Sequence, residues 1–189
     1  MKIVSILTFL SLILLGCGSE TREEKGKLGL SGEGKARARN ANLSRSGWSV
    51  SEIDLNQDKK PDQWIFSKSG QKRIERDLNF DGKVDVWQYP DSNGSIVEEE
   101  MDLDLDQRVD LVIYYEKGIM TRKELSTDFS GLFTIVKFYD GKGQLLRIER
   151  DEDRDGTVDI WEYYESNRAV RTGWDTTNDG KPDTFDNLG

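Results

Sequence analysis

Carboxylate and amide side chains recur at fixed spacing in five segments of this 189-residue chain. Each segment has Asp at positions 1, 5 and 9; position 3 is Asp or Asn in four of them, and position 6 is Gly in three. Oxygen ligands at this spacing, with a glycine at a sharp turn, suit a hard cation such as Ca²⁺. The predicted calcium ligands are Asp54, Asn56, Asp58, Asp62, Asp77, Asn79, Asp81, Asp85, Asp102, Asp104, Asp106, Asp110, Asp151, Asp153, Asp155, Asp159, Asp175, Asp179 and Asp183.

Two observations favour metal binding over a merely acidic surface. Of the 21 Asp residues, 17 lie at these positions, whereas none of the 15 Glu residues does, and a surface selected only for solubility would not separate the two. Each loop also crowds three or four carboxylates, and two of them at about 4 Å repel by roughly 4 kcal/mol at an effective dielectric near 20. The alternative is that Asp, Asn and Gly are there only for the geometry of hairpin loops.

The acidic segments belong to an internal repeat of about 24 residues. They start at residues 54, 77, 102, 151 and 175, and a degenerate sixth copy starts at Ser126. The intervening segments alternate between apolar and polar residues, which predicts strands, and turn signals separate them in pairs. We therefore predict an all-β fold, an antiparallel meander of 11 or 12 strands with the acidic loops along one edge and the tight turns along the other. Whether this sheet stays open, curls or closes like a barrel is left open.

Equivalent strand positions are expected to stack into columns across the sheet. One face would carry an aromatic ladder, either the core or a binding platform, with core the preferred interpretation. Its two columns are Trp64, Trp87, Val112, Val136, Trp161 and Phe185, and Phe66, Tyr89, Tyr114, Phe138 and Tyr163. Charged columns were predicted to form a solvated face with cross-strand pairs; they contain Glu52, Glu75, Glu100, Glu124 and Glu149, and Arg73, Arg122, Arg147 and Arg171.

The loop pattern resembles the calcium loops of EF-hands, dockerins and thrombospondin type 3 repeats, and most closely those of integrin-like FG-GAP repeats. The resemblance covers residues 48 to 189 and implies calcium bound between strands. The chain differs from an EF-hand because it has no helical flanks and because most copies lack the Glu at position 12, which only Glu162 supplies. We expect weak sites, with dissociation constants of about 10⁻⁴ to 10⁻³ M, that act structurally.

The N-terminus has one positive charge and then a run of apolar residues that ends in Leu14-Leu15-Gly16-Cys17, which holds the only cysteine of the chain. This run resembles a bacterial lipoprotein signal with its lipobox, although Leu15 is bulkier than usual. The resemblance implies a signal peptide over residues 1–16, lipidation of Cys17 with acyl chains such as palmitate, and anchoring in a membrane. Gly18 after the cysteine favours the outer membrane over the inner one.

Three segments are therefore expected: the signal peptide over 1–16, a disordered tether over 17–47, and a β-repeat domain over 48–189. Between Cys17 and Trp48 the chain is mostly Gly, Ser, Glu, Lys, Arg and Asn, and such a composition cannot bury enough apolar surface to fold. From Trp48 onward there are 32 acidic and 19 basic residues, a net charge of −13.

The composition argues against several classes of function. The acidic chain, net charge −9, is a poor partner for nucleic acids, and the absence of His removes the commonest general base. An active site is normally unique, whereas the carboxylates of this chain recur in every repeat. We therefore predict that the chain is not an enzyme, with a glycosidase that uses paired carboxylates as a minor alternative. The predicted function is a calcium-stabilised lipoprotein of the cell envelope that binds a protein or polysaccharide, for instance within an adhesion or motility assembly. The alternative is carbohydrate binding by the aromatic ladder.

Overall fold

The computed structural model describes residues 45–189, which form one antiparallel sheet. Its strands are β1 (Ser49–Ile53), β2 (Gln63–Lys68), β3 (Gln71–Arg76), β4 (Val86–Pro90), β5 (Ile96–Met101), β6 (Leu111–Glu116), β7 (Ile119–Leu125), β8 (Ile135–Tyr139), β9 (Leu145–Arg150), β10 (Ile160–Glu165), β11 (Arg168–Trp174) and β12 (Thr184–Asn187). Each strand pairs only with its neighbours in the sequence, and β1 and β12 are the edges. The predicted all-β meander is confirmed, and the sheet stays open.

Several sequence predictions fall outside this region. The predicted signal peptide over 1–16, the lipidation site Cys17 and all but the last residues of the tether lie outside the described residues. Within 45–189, the chain forms no helix of the length and hydrophobicity needed to cross a membrane.

The tight turns follow from residues that accept a left-handed backbone. Ser69-Gly70, Lys117-Gly118 and Ser166-Asn167 each have positive φ at both central positions, as a two-residue hairpin turn of type I′ requires. The other two hairpins have longer turns, in which Asp91 and Asp140 accept backbone hydrogen bonds from residues two and four further on. Turns of both kinds return the chain at once, so consecutive strands pair.

The aromatic ladder forms the core. Trp87 packs with Val109, Val112 and Phe133, and a second cluster contains Val136, Val158 and Trp161. Position 8 is occupied by Val109, Phe133 and Val158 in three of the loops. Each of these three loops therefore packs an apolar side chain against the ladder. This burial supplies the hydrophobic stabilisation of the sheet.

Most of the charged columns do not form the predicted solvated face; only Glu52 and Arg171 are exposed. Glu75, Glu100, Glu124 and Glu149 are buried, and they lie on the same face as the aromatic ladder. The reason is register: Trp64 lies opposite Glu75 and Val136 opposite Glu149, and residues directly opposite each other in a sheet share a face. The core of this protein is therefore a mixture of aromatic and ionic side chains.

Arginine side chains compensate part of this buried charge. Nε of Arg73 lies 2.8 Å from Oε1 of Glu75, and Nη2 of Arg122 lies 2.7 Å from Oε1 of Glu124. The same guanidinium groups stack on rings of the ladder, with Arg73 4.3 Å from the centre of the Phe66 ring. Each arginine thus neutralises a carboxylate and packs against an aromatic ring.

Glu124 gives the first prediction. Burial raises the pKa of this carboxyl group above its ordinary value of 4.5, although Arg122 opposes the rise. A group with a raised pKa binds more protons in the folded chain than in the unfolded chain. Its contribution to the free energy of unfolding therefore falls as the pH rises from the unfolded pKa through the folded pKa. The stability of Glu124→Gln relative to the wild type should therefore increase as the pH is raised above 4.5.

Urea denaturation across a pH series measures this difference. The matched control is Glu165→Gln, which changes an exposed Glu at the end of β10 and should keep a constant difference from the wild type. A Glu124→Gln difference that is equally flat with pH would contradict the prediction.

Candidate functional site

The acidic loops lie side by side along one edge of the sheet, as predicted. The backbone N–H at position 1 of each loop donates to the carbonyl at position 9 of the preceding loop: Asp77 to Asp62 at 2.8 Å, and Asp102 to Asp85 at 2.9 Å. The same bond joins Asp175 to Asp159 at 2.9 Å. The sheet hydrogen bonding thus continues through the loops and fixes their spacing.

Within each acidic loop, the first and last aspartates hold the turn. In the second loop, Oδ1 of Asp77 accepts from the N–H of Phe80 and Oδ2 accepts from the N–H of Gly82, both at 2.7 Å. Oδ2 of Asp85 accepts from the N–H of Leu78, also at 2.7 Å. These bonds satisfy backbone donors that a nine-residue loop would otherwise leave to solvent. Part of the predicted ligand set therefore has a structural role in the turn itself.

The loops share a strained backbone. Positions 4 and 6 have positive φ in all six copies; these residues are Gln57, Lys59, Phe80, Gly82, Leu105, Gln107, Phe129, Gly131, Arg154, Gly156, Asn178 and Gly180. Left-handed backbone is costly for most side chains and easy for glycine. The left-handed backbone at position 6 therefore explains the preference for Gly there. Two loops form the same turn with Lys59 and Gln107 at this position.

Three loops bring carboxylates close enough to share a cation. The groups are Asp102 with Asp104 and Asp110, Asp151 with Asp153 and Asp159, and Asp175 with Asp179 and Asp183, each with one ligand oxygen per residue within 4.8 Å of the others. In the loops at Asp54 and Asp77, where position 3 is Asn, the described residues form no such three-carboxylate group.

Two further predicted ligands contact side chains of this chain. Asp106 pairs with Arg108, and Oδ2 of Asp155 accepts a hydrogen bond of 2.9 Å from Nδ2 of Asn178. Position 5 of these two loops is therefore held by protein contacts.

Asp110 is the most constrained carboxylate of the edge. Its side chain is completely buried; Oδ2 accepts from the N–H of Leu103 at 2.9 Å, and Oδ1 is buried without a hydrogen-bond partner. Burial raises the pKa of Asp110, and the charges of Asp104 and Asp106 raise it further. An unsatisfied buried carboxylate oxygen is costly. A cation held between Asp102, Asp104 and Asp110 would remove that cost.

The degenerate loop shows what the turn needs without the charge. Ser126 takes position 1, and its Oγ accepts the N–H of Gly131 at 3.1 Å, as Asp does in the other loops. Phe129 and Gly131 keep φ of 58° and 72°. The single carboxylate, Asp128, pairs with Nη1 of Arg154 at 2.7 Å. The turn therefore forms with hydroxyl groups at positions 1, 5 and 9.

Sequence reasoning missed the side chains that link neighbouring loops. Arg154 reaches Asp128 in the loop before it, and Asn178 reaches Asp155 in the same direction. Both residues occupy position 4, where the repeat pattern shows no common residue type. No signal in one sequence identifies them, because each contact depends on how adjacent loops stack.

No protein-family model matches the chain, and no curated protein matches its sequence. Solved structures that align with part of this chain include the Glycosylation Associate Protein complex from Streptococcus agalactiae (12% identity, 75% of this chain and 24% of that one, TM-score 0.33). Another is the GtfA/B complex bound to UDP and GlcNAc (16% identity, 74% and 27%, TM-score 0.35). A third is an S. aureus TarM mutant with fondaparinux, α-GlcNAc-glycerol and UDP (14% identity, 64% and 21%, TM-score 0.39).

These comparisons correct one prediction. The chain was predicted not to be an enzyme, and the structures that it resembles are those of glycosyltransferases and their associated proteins, so that exclusion is wrong as it stands. The chain spans about a quarter of the length of each of those structures, and TM-scores of 0.33 to 0.39 carry no argument for a particular activity. The exclusion rested only on the repetition of the carboxylates.

The loop geometry gives the second prediction. Gln107 has φ of 74° in a position where three other acidic loops have Gly. Gln107→Gly should raise the free energy of unfolding by about 0.5–1 kcal/mol, because relief of a left-handed residue, about 1–2 kcal/mol, exceeds the added chain entropy. Denaturant melts provide the measurement.

The control for this substitution is Gln71→Gly, at the start of β3, where the backbone is extended. That change should lower stability, since glycine in a strand costs about 0.5–1 kcal/mol. Equal destabilisation by both variants would show that position 6 is not strained.

Proposed function

We propose that this chain is a calcium-stabilised lipoprotein of the bacterial cell envelope, anchored through Cys17 and serving as a binding or structural component of the surface or of an envelope assembly of the adhesion or motility type. Calcium neutralises the loop edge and fixes the spacing of the hairpins. The partner is a protein or a polysaccharide. The folded sheet projects from the outer membrane on the tether of residues 17–47.

The comparison between the degenerate loop and the five acidic loops carries this proposal. The degenerate loop makes the same turn with Ser126, Ser130 and Thr134 at positions 1, 5 and 9. The turn therefore does not require carboxylates at all three positions. The acidic loops keep all three despite mutual repulsion, which supports a counter-ion as the reason for the pattern.

The buried oxygen of Asp110 supports the same proposal. A carboxylate oxygen has more than one acceptor site, so Asp102 and Asp110 can hold backbone N–H groups and a cation together. Asp102 accepts from the N–H groups of Leu105 at 2.7 Å and Gln107 at 2.6 Å, and Asp110 accepts from that of Leu103. Oδ1 of Asp110 has capacity left. A hard divalent ion is the ligand that three carboxylates within 4.8 Å of one another fit best.

The anchor is supported by the sequence alone. Cys17 is the only cysteine of the chain, and it follows an apolar run at the point where a lipobox has its modified residue. Each buried CH₂ of a lipid contributes about 0.8 kcal/mol, so two or three acyl chains hold a protein firmly at a membrane.

Carbohydrate binding by the aromatic ladder has less support. Stacking of a sugar on a ring needs an exposed ring face, and Trp87 and Trp161 are only 4% and 7% exposed. Arginine side chains also cover the ladder, as Arg147 does at 4.5 Å from the centre of the Phe138 ring. A polysaccharide partner would have to bind elsewhere on the sheet.

The third prediction tests calcium. Adding about 10 mM Ca²⁺ to chelator-treated protein should raise stability by about 1.4–2.7 kcal/mol per occupied site, as mass action gives for dissociation constants of about 10⁻⁴ to 10⁻³ M. Asp110→Asn should remove the contribution of its own loop. In chelator this variant should be at least as stable as the wild type, because it removes a buried charge.

The matched control is Asp140→Asn, in the hairpin turn between β8 and β9. Asp140 accepts two backbone hydrogen bonds, as the loop aspartates do, but lies outside the acidic loops. Its calcium increment should equal that of the wild type in thermal melts. A wild-type melt that is the same in calcium and in chelator would disprove the structural role of the ion.

The fourth prediction concerns the anchor. In bacteria fed labelled palmitate, the wild-type protein should carry the label and sediment with the outer membrane, and Cys17→Ala should lose both properties. Ser19→Ala, two residues further on, is the control and should behave as the wild type. Label on the Cys17→Ala protein would contradict lipidation at this site.

A further inference from the structure

Among the described residues 45–189, no strand covers the outer side of β1 or of β12. All residues of β1 and β12 are exposed, and each strand has a pairing partner on one side only among the described strands. Natural edge strands are protected by very short length, charged side chains (especially Lys), Pro or a bulge. Here β12 has only four residues, and each edge strand carries one carboxylate, Glu52 or Asp186. Neither β1 nor β12 contains Pro or Lys, and their registers with β2 and β11 are uninterrupted.

Strands of two kinds alternate through the sheet. The aromatic strands β2, β4, β6, β8 and β10 carry the ladder, and the charged strands β3, β5, β7 and β9 carry the buried glutamates. Across every tight turn an aromatic strand comes first and its ladder residue lies opposite the position that holds Glu: Trp64 opposite Glu75, Trp87 opposite Glu100. In the last hairpin the opposite residue is Gly173.

The edge strands are one of each kind. β12 is an aromatic strand, since Phe185 continues the ladder column and lies opposite Gly173 of β11. β1 is a charged strand, since Glu52 lies opposite Trp64 of β2. The acidic loops connect β1 to β2 and β11 to β12, so each edge strand is paired on its acidic-loop side. The free side of each edge strand corresponds to the side on which an interior strand pairs across a hairpin turn. The free edge of β12 therefore matches that of β1.

We propose that β12 of one copy pairs with β1 of a second copy, in antiparallel register, so that the sheet continues from molecule to molecule. The register of the internal hairpins places Phe185 opposite Glu52 of the second copy and Asp186 opposite its Ser51. Thr184 lies opposite Ile53, and Asn187 opposite Val50. The paired surfaces differ, so this contact is heterologous and extends head to tail.

The exposed side chains at the two edges support this occupant. Val50, Ile53 and Phe185 are exposed by 41%, 38% and 40%. The proposed register places Phe185 diagonally across from Val50 on one face, and Ile53 opposite Thr184 on the other. Phe185 already has the guanidinium group of Arg171 at 3.6 Å from its ring centre, as ladder rings have within the sheet. Pairing also provides partners for the free backbone groups of both strands.

The same register aligns the acidic edge. The loop that starts at Asp175 would lie beside the loop at Asp54 of the next copy, on the same side of the extended sheet. The row of loops would continue from one copy to the next as it does within one chain. The assembly does not depend on whether the loops bind calcium, so it is a separate proposal from the structural metal.

Cysteine cross-linking tests the register directly. Full-length chains with Cys17→Ser, which removes the native thiol, carry either Ser51→Cys or Asp186→Cys. Residues directly opposite have Cβ atoms about 4.5–5.5 Å apart, close to the geometry of a disulfide. Mild oxidation should produce a disulfide-linked dimer in the mixture of the two proteins, and neither protein should form one alone.

Other outcomes overturn the proposal. Ser51 is the middle residue of β1, so cross-linking of the Ser51→Cys protein with itself would show a two-fold pairing of β1 strands. Cross-linking of Asp186→Cys with itself would show the same for β12. Absence of any dimer at concentrations up to those of the stock solutions, with circular dichroism unchanged, would also refute it.

A charge exchange gives an independent measurement. Ser51→Asp places a second carboxylate opposite Asp186 and should weaken self-association by about two- to fivefold, the range for a repulsive cross-strand pair. Adding Asp186→Lys to that variant should restore association. In sedimentation experiments, an unaltered association constant for Ser51→Asp would contradict the register.

Discussion

Buried negative charge is the constraint on which the rest of this structure depends. Among the described residues, eleven acidic side chains are buried, whereas the only buried basic side chain is that of Arg73. Removing a carboxylate from water is costly unless partners replace the solvent. The fold is therefore organised around ways to compensate these groups, and the aromatic ladder is arranged between them.

The sheet and the loops compensate their carboxylates differently. Within the sheet, Glu75 and Glu124 have arginines on their own strands, and those arginines also stack on the ladder rings. Tyr89 donates to Oε2 of Glu100 at 3.2 Å, and burial together with the charge of Glu100 raises the pKa of the phenol, which keeps its proton for that bond. In the loops, backbone N–H groups do most of this work, and they carry only partial charges. The loops are therefore the part of the molecule where a cation has most to contribute.

Much of the fold could be predicted from sequence because its signals are local and repeated. Alternation in segments such as Val86–Pro90 identified strands, and the regular recurrence of Asp at position 1 fixed their order. The buried charged columns were misplaced because a face assignment needs the register between strands. Glu75 alternates correctly with its own neighbours, yet only its position opposite Trp64 shows that it faces the core.

The candidate site was predicted in its composition more than in its geometry. Spacing identified the aspartates, but it could not show that Asp77 and Asp85 are engaged by backbone N–H groups, because those bonds depend on left-handed residues such as Phe80. It also did not show which acidic loops bring three carboxylates together. The three-carboxylate groups form where position 3 is Asp, or where Asp179 takes the place of a position-3 ligand. Loop-to-loop contacts such as Arg154 with Asp128 had no sequence signal at all.

Repetition makes the acidic edge a coupled row. Position 1 of each loop is bonded to position 9 of the preceding loop, so a shift of one loop changes the carboxylate spacing in the next. In a stack where each unit contacts only its neighbours, stability is close to a sum of unit terms and nearest-neighbour terms. Neutralising one loop therefore stabilises the hairpins on both sides of it. The degenerate loop has a single carboxylate, Asp128, which Arg154 neutralises, and this loop keeps the row continuous.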